Sequence, residues 1–98
     1  MKKTPTVWTL ADVQAWFAGR IPDGWFTEAP TVTADREEIL VVGTVARPTV
    51  PEGTDASGAT VAERARIQGF REDTRAHRMR IADEAEVVVG RFPKWSGT

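Results

Sequence analysis

The chain contains no cysteine. Disulfide staples, thiolate nucleophiles and cysteine-based zinc sites are therefore excluded. A small domain without disulfides fits a reducing compartment better than a secreted scaffold, so a cytoplasmic protein is expected. Histidine occurs once, as His77. Catalytic and metal sites need several convergent ligands, and no second histidine or cysteine exists to supply them. A structural or surface role is expected for His77, with no metal and no cofactor. Charge of one sign is also scarce: 13 Lys and Arg stand against 14 Asp and Glu, leaving a net charge of -1. Such a balance provides no long-range pull toward nucleic acid or an anionic membrane. No run approaches the roughly 20 apolar residues that a membrane crossing needs. Lys2 and Lys3 resemble the start of a signal peptide, but Asp12 and Gln14 interrupt the segment that follows. Membrane partners are not expected.

Motifs of common chemistry are missing as well. There is no glycine-rich phosphate loop, no G-x-S-x-G and no Walker sequence. No D-x-D-x-D-G loop marks a calcium site. Asp35, Glu37 and Glu38 cluster, but they fall at a turn where no pocket shifts a carboxyl toward acid–base work. No small-molecule substrate is evident, and a protein that is not an enzyme is expected.

What the chain does contain suits one α+β domain spanning residues 1–98. Its 98 residues are 41% hydrophobic and 28% charged, ordinary values for a globular fold. Residues 8–19 read as a helix. Thr9 is a good N-cap with Asp12 three residues on, a capping box with Asp in place of Glu. Trp8 and Val13 fit a hydrophobic staple. Leu10, Val13 and Phe17 share a face, with Trp16 near it, and Gly19 is the expected C-cap. Ile21-Pro22-Asp23-Gly24 has turn chemistry. Trp25 and Phe26 follow, either as a lid on the core or as aromatic anchors for a partner.

A β-hairpin is expected next. Thr31–Ala34 is rich in β-branched residues, Asp35-Arg36-Glu37 forms the turn, and the second strand runs from Glu38 to about Ala46. That strand is apolar on both sides: Ile39, Val41 and Val45 on one, Leu40, Val42 and Ala46 on the other. Such a strand is central or doubly covered, and a bare second face hints at self-association. Residues 48–58 have the composition of a loop. From about Thr60 one long helix follows, with an apolar stripe at Ile67, Phe70, Thr74, His77, Ile81, Ala85 and Val88. Gly90 is its natural stop. Arg91–Trp95 suggests a short last strand, kept to the sheet edge by Pro93. The expected order is α-β-β-α-β: a three-stranded sheet with a hairpin and a long C-terminal helix packed on it.

That helix is the informative element. Thirty residues span roughly 45 Å, whereas a compact domain of this size has a radius of gyration near 13 Å. Either it bends at Gly69, a residue unfavourable within helices, or its free end packs on another chain. Its arginines are unevenly placed. Arg64, Arg71, Arg75 and Arg78 fall within about 60° of one another at 100° per residue. Residues 64–80 hold six arginines and two acids, a local charge of +4. Local pairing of Arg80 with Asp83 and Glu84, and of Glu72 with Arg75, is expected. Arg71 and Arg75 form an unfavourable like-charged i,i+4 pair. Three readings follow: a solvated flank covering apolar neighbours, a contact for carboxylates of a partner or second copy, or a contact for nucleic-acid phosphates. Arg91 and Lys94 extend a basic patch only if the last strand folds beside this stripe.

The stretch from Phe70 to Glu86, the opening Trp8-Thr9-Leu10-Ala11-Asp12-Val13 and the Trp16-Phe17 pair resemble small uncharacterised proteins of high-GC actinobacteria. Gly90, Arg91 and Trp95 match the Gly-Arg and the Trp-bearing strand that the resemblance leads one to expect. The resemblance implies a bacterial cytoplasmic protein and carries no activity with it. The expected function is a non-catalytic binding module acting through protein–protein contacts as a homodimer, its partner being itself or another protein. The alternative is a nucleic-acid-binding regulator using the arginine stripe.

Overall fold

A computed structural model describes residues 8–97; Lys2 and Lys3 lie outside them. Helix α1 spans Leu10–Arg20, a single 3-10 turn covers Asp23–Trp25, and strands β1 (Thr31–Ala34) and β2 (Glu38–Gly43) form the hairpin. Helices α2 (Ala56–Asp73) and α3 (Arg75–Val89) precede strand β3 (Phe92–Gly97). The fold is α+β, with the order α-β-β-α-α-β.

Helix α1 starts as its sequence dictates. The Thr9 hydroxyl accepts from the Asp12 N–H at 3.1 Å, and the Asp12 carboxylate accepts from the Thr9 N–H at 3.0 Å. Both bonds satisfy N–H groups that a helix start leaves without partners. The expected end is corrected: Gly19 lies inside the helix and Ile21 is the C-cap. Ile21 is buried, so the helix continues until its apolar face reaches the core. Leu10, expected on that face, is 47% exposed.

Strand β2 is central. It pairs antiparallel with β1, Val32 opposite Val41, and parallel with β3, Ile39 opposite Pro93 and Val41 opposite Trp95. Pro93 sits on an edge strand, where its missing N–H is tolerated. The hairpin turn is closed by the Asp35 carboxylate, which accepts from the N–H groups of Glu37 and Glu38. Those bonds hold the Asp35 carboxyl below its ordinary value. Strand pairing ends at Gly43, short of the expected Ala46.

One sheet face carries the core. Val13, Phe17 and Ile21 of α1, Val32, Ile39 and Val41 of the sheet, and Ile81 and Ala85 of α3 form one buried cluster. The spacing of the α1 residues places all three on a single helical stripe. The opposite face is open: Leu40 is 39% and Phe92 49% exposed, and Lys94 reaches Glu38 there at 3.4 Å. On α3 the stripe ends on Val89, which packs against the core, while Val88 is exposed.

Arg20 and Glu84 tie α1 to α3. The Arg20 Nε and Nη2 groups both donate to the carboxylate, Nη2 to Oε2 at 3.1 Å. This bidentate bond holds the Glu84 carboxyl below its ordinary value, and partial burial opposes it. A carboxyl depressed in the folded state stabilises above its unfolded value, about 4.3 for Glu, and that contribution is lost as pH falls through the folded value. Glu84→Gln is therefore expected to lower stability at neutral pH and to make unfolding less steep with acid below about pH 4.3. Urea unfolding followed from pH 7 to pH 3 measures it. An unchanged acid dependence would show that this pair contributes nothing.

Candidate functional site

The long helix is broken, and the break lies at Thr74 rather than Gly69. Thr74 has φ -102 and ψ 2, off the helical minimum. Its hydroxyl donates to the Phe70 carbonyl at 2.7 Å, where its own N–H also donates at 3.0 Å. Back-bonding of this kind from a β-branched residue bends helices. The Arg78 N–H still reaches the Thr74 carbonyl at 2.7 Å. Helix α3 thus continues onward from α2 with a local bend instead of folding back.

Arg78 braces this break. Its Nη2 donates to the Arg71 carbonyl at 2.7 Å, and its Nε donates to the Thr74 hydroxyl at 3.0 Å. The side chain thereby occupies a carbonyl that the disturbed helix ladder leaves free. Burial, together with the charges of Arg71 and Arg75, lowers the Arg78 pKa from its ordinary value.

Arg71, Arg75 and Arg78 line one solvent-open dish of about 590 Å3, together with Gln68, Glu72 and Met79. The expected local ion pairs do not form. Among the described residues the ion pairs are Arg20–Glu84 and Glu38–Lys94. Glu84 turns to Arg20 rather than Arg80, and Glu72 accepts from Gln68 at 2.6 Å rather than pairing with Arg75. The dish arginines therefore form no ion pair among the described residues, although Glu72 lines the same dish. Arg64 is exposed on α2 but does not line the dish. It stands seven residues before Arg71, about 10 Å along the helix axis. Arg91 donates to the Asp35 carbonyl and Lys94 pairs with Glu38, so both serve the hairpin end of the sheet and neither lines the dish.

Trp25 and Phe26 are half-buried and packed against the core. The Trp25 ring meets His77, Phe70 and Trp95 edge-to-face at centroid distances of 5.2, 5.7 and 6.2 Å. Phe26 lies 5.4 Å from Phe70. The structure thus brings both rings onto the chain's own helices, Trp25 on either side of the break and Phe26 before it, at Phe70. His77 is placed by the same cluster. Arg66 adds a second tie, donating to the Ala46 carbonyl at 2.9 Å.

No group of three His, Asp or Glu able to hold a metal occurs among the described residues. None of the described helices is long and apolar enough to cross a membrane.

A family model described as "Rv1265-like protein, N-terminal domain" matches residues 11–97. The chain belongs to this family. Its relatives include the uncharacterized proteins Rv1265 and MT1303 of Mycobacterium tuberculosis and Mb1296 of Mycobacterium bovis. Each is 46% identical over 80 residues, covering 82% of this chain and 34% of the relative. The chain thus spans about a third of the length of these curated relatives. No solved structure matches. The mycobacterial relatives agree with the actinobacterial resemblance of the helix and the N-terminal motif.

In this Rv1265-like N-terminal domain the nearness of Arg71, Arg75 and Arg78 was legible from spacing, Arg64 of the expected stripe falls outside the dish, and Gln68 and Met79 follow from the same helical period. The brace formed by Arg78 was not. It requires the break at Thr74, and an i,i+4 pair of Thr and Arg does not announce one.

Proposed function

We propose that this Rv1265-like N-terminal domain is a non-catalytic, cytoplasmic binding module that acts through protein–protein contacts. The observation that supports the reading is the dish: Arg71, Arg75 and Arg78 together on one surface, with no ion-pair partner among the described residues. Arginine forks of this kind recognise carboxylates and phosphates with directional, charge-assisted hydrogen bonds. The partner surface is acidic. The module also pairs with itself, and that contact lies away from the dish, because a two-fold contact there sets like charge against like charge. The open sheet face with Leu40 and Phe92 is consistent with this division.

Pull-down from the native host with the domain and with its Arg71→Glu, Arg75→Glu variant tests the reading. The acidic partner is expected to be lost at least tenfold in the variant. A captured set that charge reversal leaves unchanged would remove the dish from the proposal. Sedimentation is expected to give about twice the 10.8 kDa chain mass; a strict monomer at high concentration would remove the homodimer.

Contact with nucleic-acid phosphates is the second reading, favoured by the same unpaired arginines. It expects binding of DNA or RNA that falls steeply with salt, since each neutralised phosphate releases counterions. Absence of binding at low salt would end it.

A further inference from the structure

Resting on the binding-module reading, we infer that the dish at the Thr74 break is a recognition site for a phosphomonoester carried by the partner protein. Three guanidinium groups from positions 71, 75 and 78 line the same depression. The Glu72 carboxylate lines it too, so the net charge of the lining is +2, and a single partner carboxylate leaves half of it unmatched. A phosphomonoester brings about -1.5 to -2 at neutral pH and three strong acceptor oxygens. Arg71 and Arg75 are exposed, and no ion pair occupies them. Arg78 directs Nε and Nη2 into the helix break and leaves the rest of its fork available. That anchoring holds one guanidinium in place before any ligand arrives, which lowers the ordering cost of binding.

The shape disfavours a nucleic-acid backbone. Such a backbone needs cations spaced along a track. Of the neighbouring cations, Arg66 is drawn to the Ala46 carbonyl, Arg91 to the hairpin turn and Lys94 to Glu38, while Arg64 and Arg80 are exposed but do not line the dish. Only Arg71, Arg75 and Arg78 converge on one depression, and that convergence is a spot suited to a single phosphate group. The open dish of about 590 Å3 has room for a side chain presented on a surface.

The test is titration of the whole domain, followed by side-chain NMR of the arginine Nε–H groups. The probes are N-acetyl-phosphoserine amide, N-acetyl-glutamate amide and inorganic phosphate, with a short single-stranded oligonucleotide as a fourth arm. Phosphoserine is expected to shift the Arg71, Arg75 and Arg78 signals and to bind at least tenfold more tightly than the glutamate probe. Inorganic phosphate is expected to compete at the same signals. Arg75→Gln, at an exposed position with no structural bond, is expected to weaken phosphoserine at least tenfold while the thermal midpoint stays within two degrees or so. Equal binding of phosphoserine and glutamate would overturn the phosphate inference and leave the acidic-partner reading standing. Silence of all four probes at these signals would overturn both. Preference for the oligonucleotide would overturn the inference in favour of the nucleic-acid reading.

Discussion

Phe17→Ala is expected to cost about 3–5 kcal/mol. Phe17 is fully buried between α1 and the sheet. Its ring meets Trp16 at 4.9 Å and Trp95 at 6.3 Å, both edge-to-face. Removal deletes the largest fully buried side chain among the described residues and leaves a cavity that rings on α1 and β3 fill only in part. Edge-to-face pairs add about 0.5–1.5 kcal/mol each beyond buried area. A domain of this size has a total stability of about 5–15 kcal/mol, so the variant sits near or below its threshold. Urea denaturation measures the loss. Phe17→Leu, which keeps most of the volume, is expected to cost under about 1.5 kcal/mol. A cost below about 1 kcal/mol for Phe17→Ala would mean that the core is centred elsewhere.

Gly43→Val carries the second large effect, and it acts at a distance. Gly43 is the last residue of β2 and is buried. A Cβ placed there lies 2.5 Å from both Cδ1 and Cζ of Phe26, inside contact distance. The Phe26 ring therefore has to leave its seat, and with it goes the 5.4 Å contact to Phe70 on α2. Overpacking of this kind costs about 1–3 kcal/mol. The location of the damage is the sharper expectation. Helix α2 contains no buried residue of its own, so its position rests on Phe70 against Trp25 and Phe26, on the bond from Arg66 to Ala46, and on the Arg78 brace. Amide exchange is expected to accelerate across α2 and the Thr74 break while the β2 centre stays protected. A double-mutant cycle with Phe26→Ala isolates the cause. If the clash is with that ring, Gly43→Val costs less in the Phe26→Ala background. Additive costs would place the strain elsewhere.

The molecule is long rather than spherical. The radius of gyration is 16.3 Å, against about 13 Å for a compact chain of this length. Two helices joined at a bend run about 50 Å at the ordinary rise per residue, and only α3 has residues buried in the core. Helices take most of their stability from an apolar face packed on something. Helix α2 packs on few groups, and one of them, the Arg78 brace, also lines the arginine dish.

The parts of this architecture that the sequence by itself determined are those closed within a few residues. The Thr9–Asp12 capping box, the Asp35 turn and the Gly90 stop each use partners no more than five residues apart. Local geometry leaves them little choice, and the residue types name the structure. The same holds for the buried spacing of Val13, Phe17, Ile81 and Ala85, since helical period alone puts each pair on one face. Tertiary structure decided the rest. Glu84 had basic candidates four residues away and 64 residues away, and packing of α1 on α3 delivered the distant one. The helix bends at Thr74, although Gly69 is the weaker helix former: the Thr74 hydroxyl bonds back to Phe70, Phe70 and His77 dock on Trp25 from either side, and Arg78 then caps the freed carbonyl. Propensity measures a residue's cost in isolation. Where several long-range contacts converge, their sum exceeds that cost of about 1 kcal/mol and sets the place of the break.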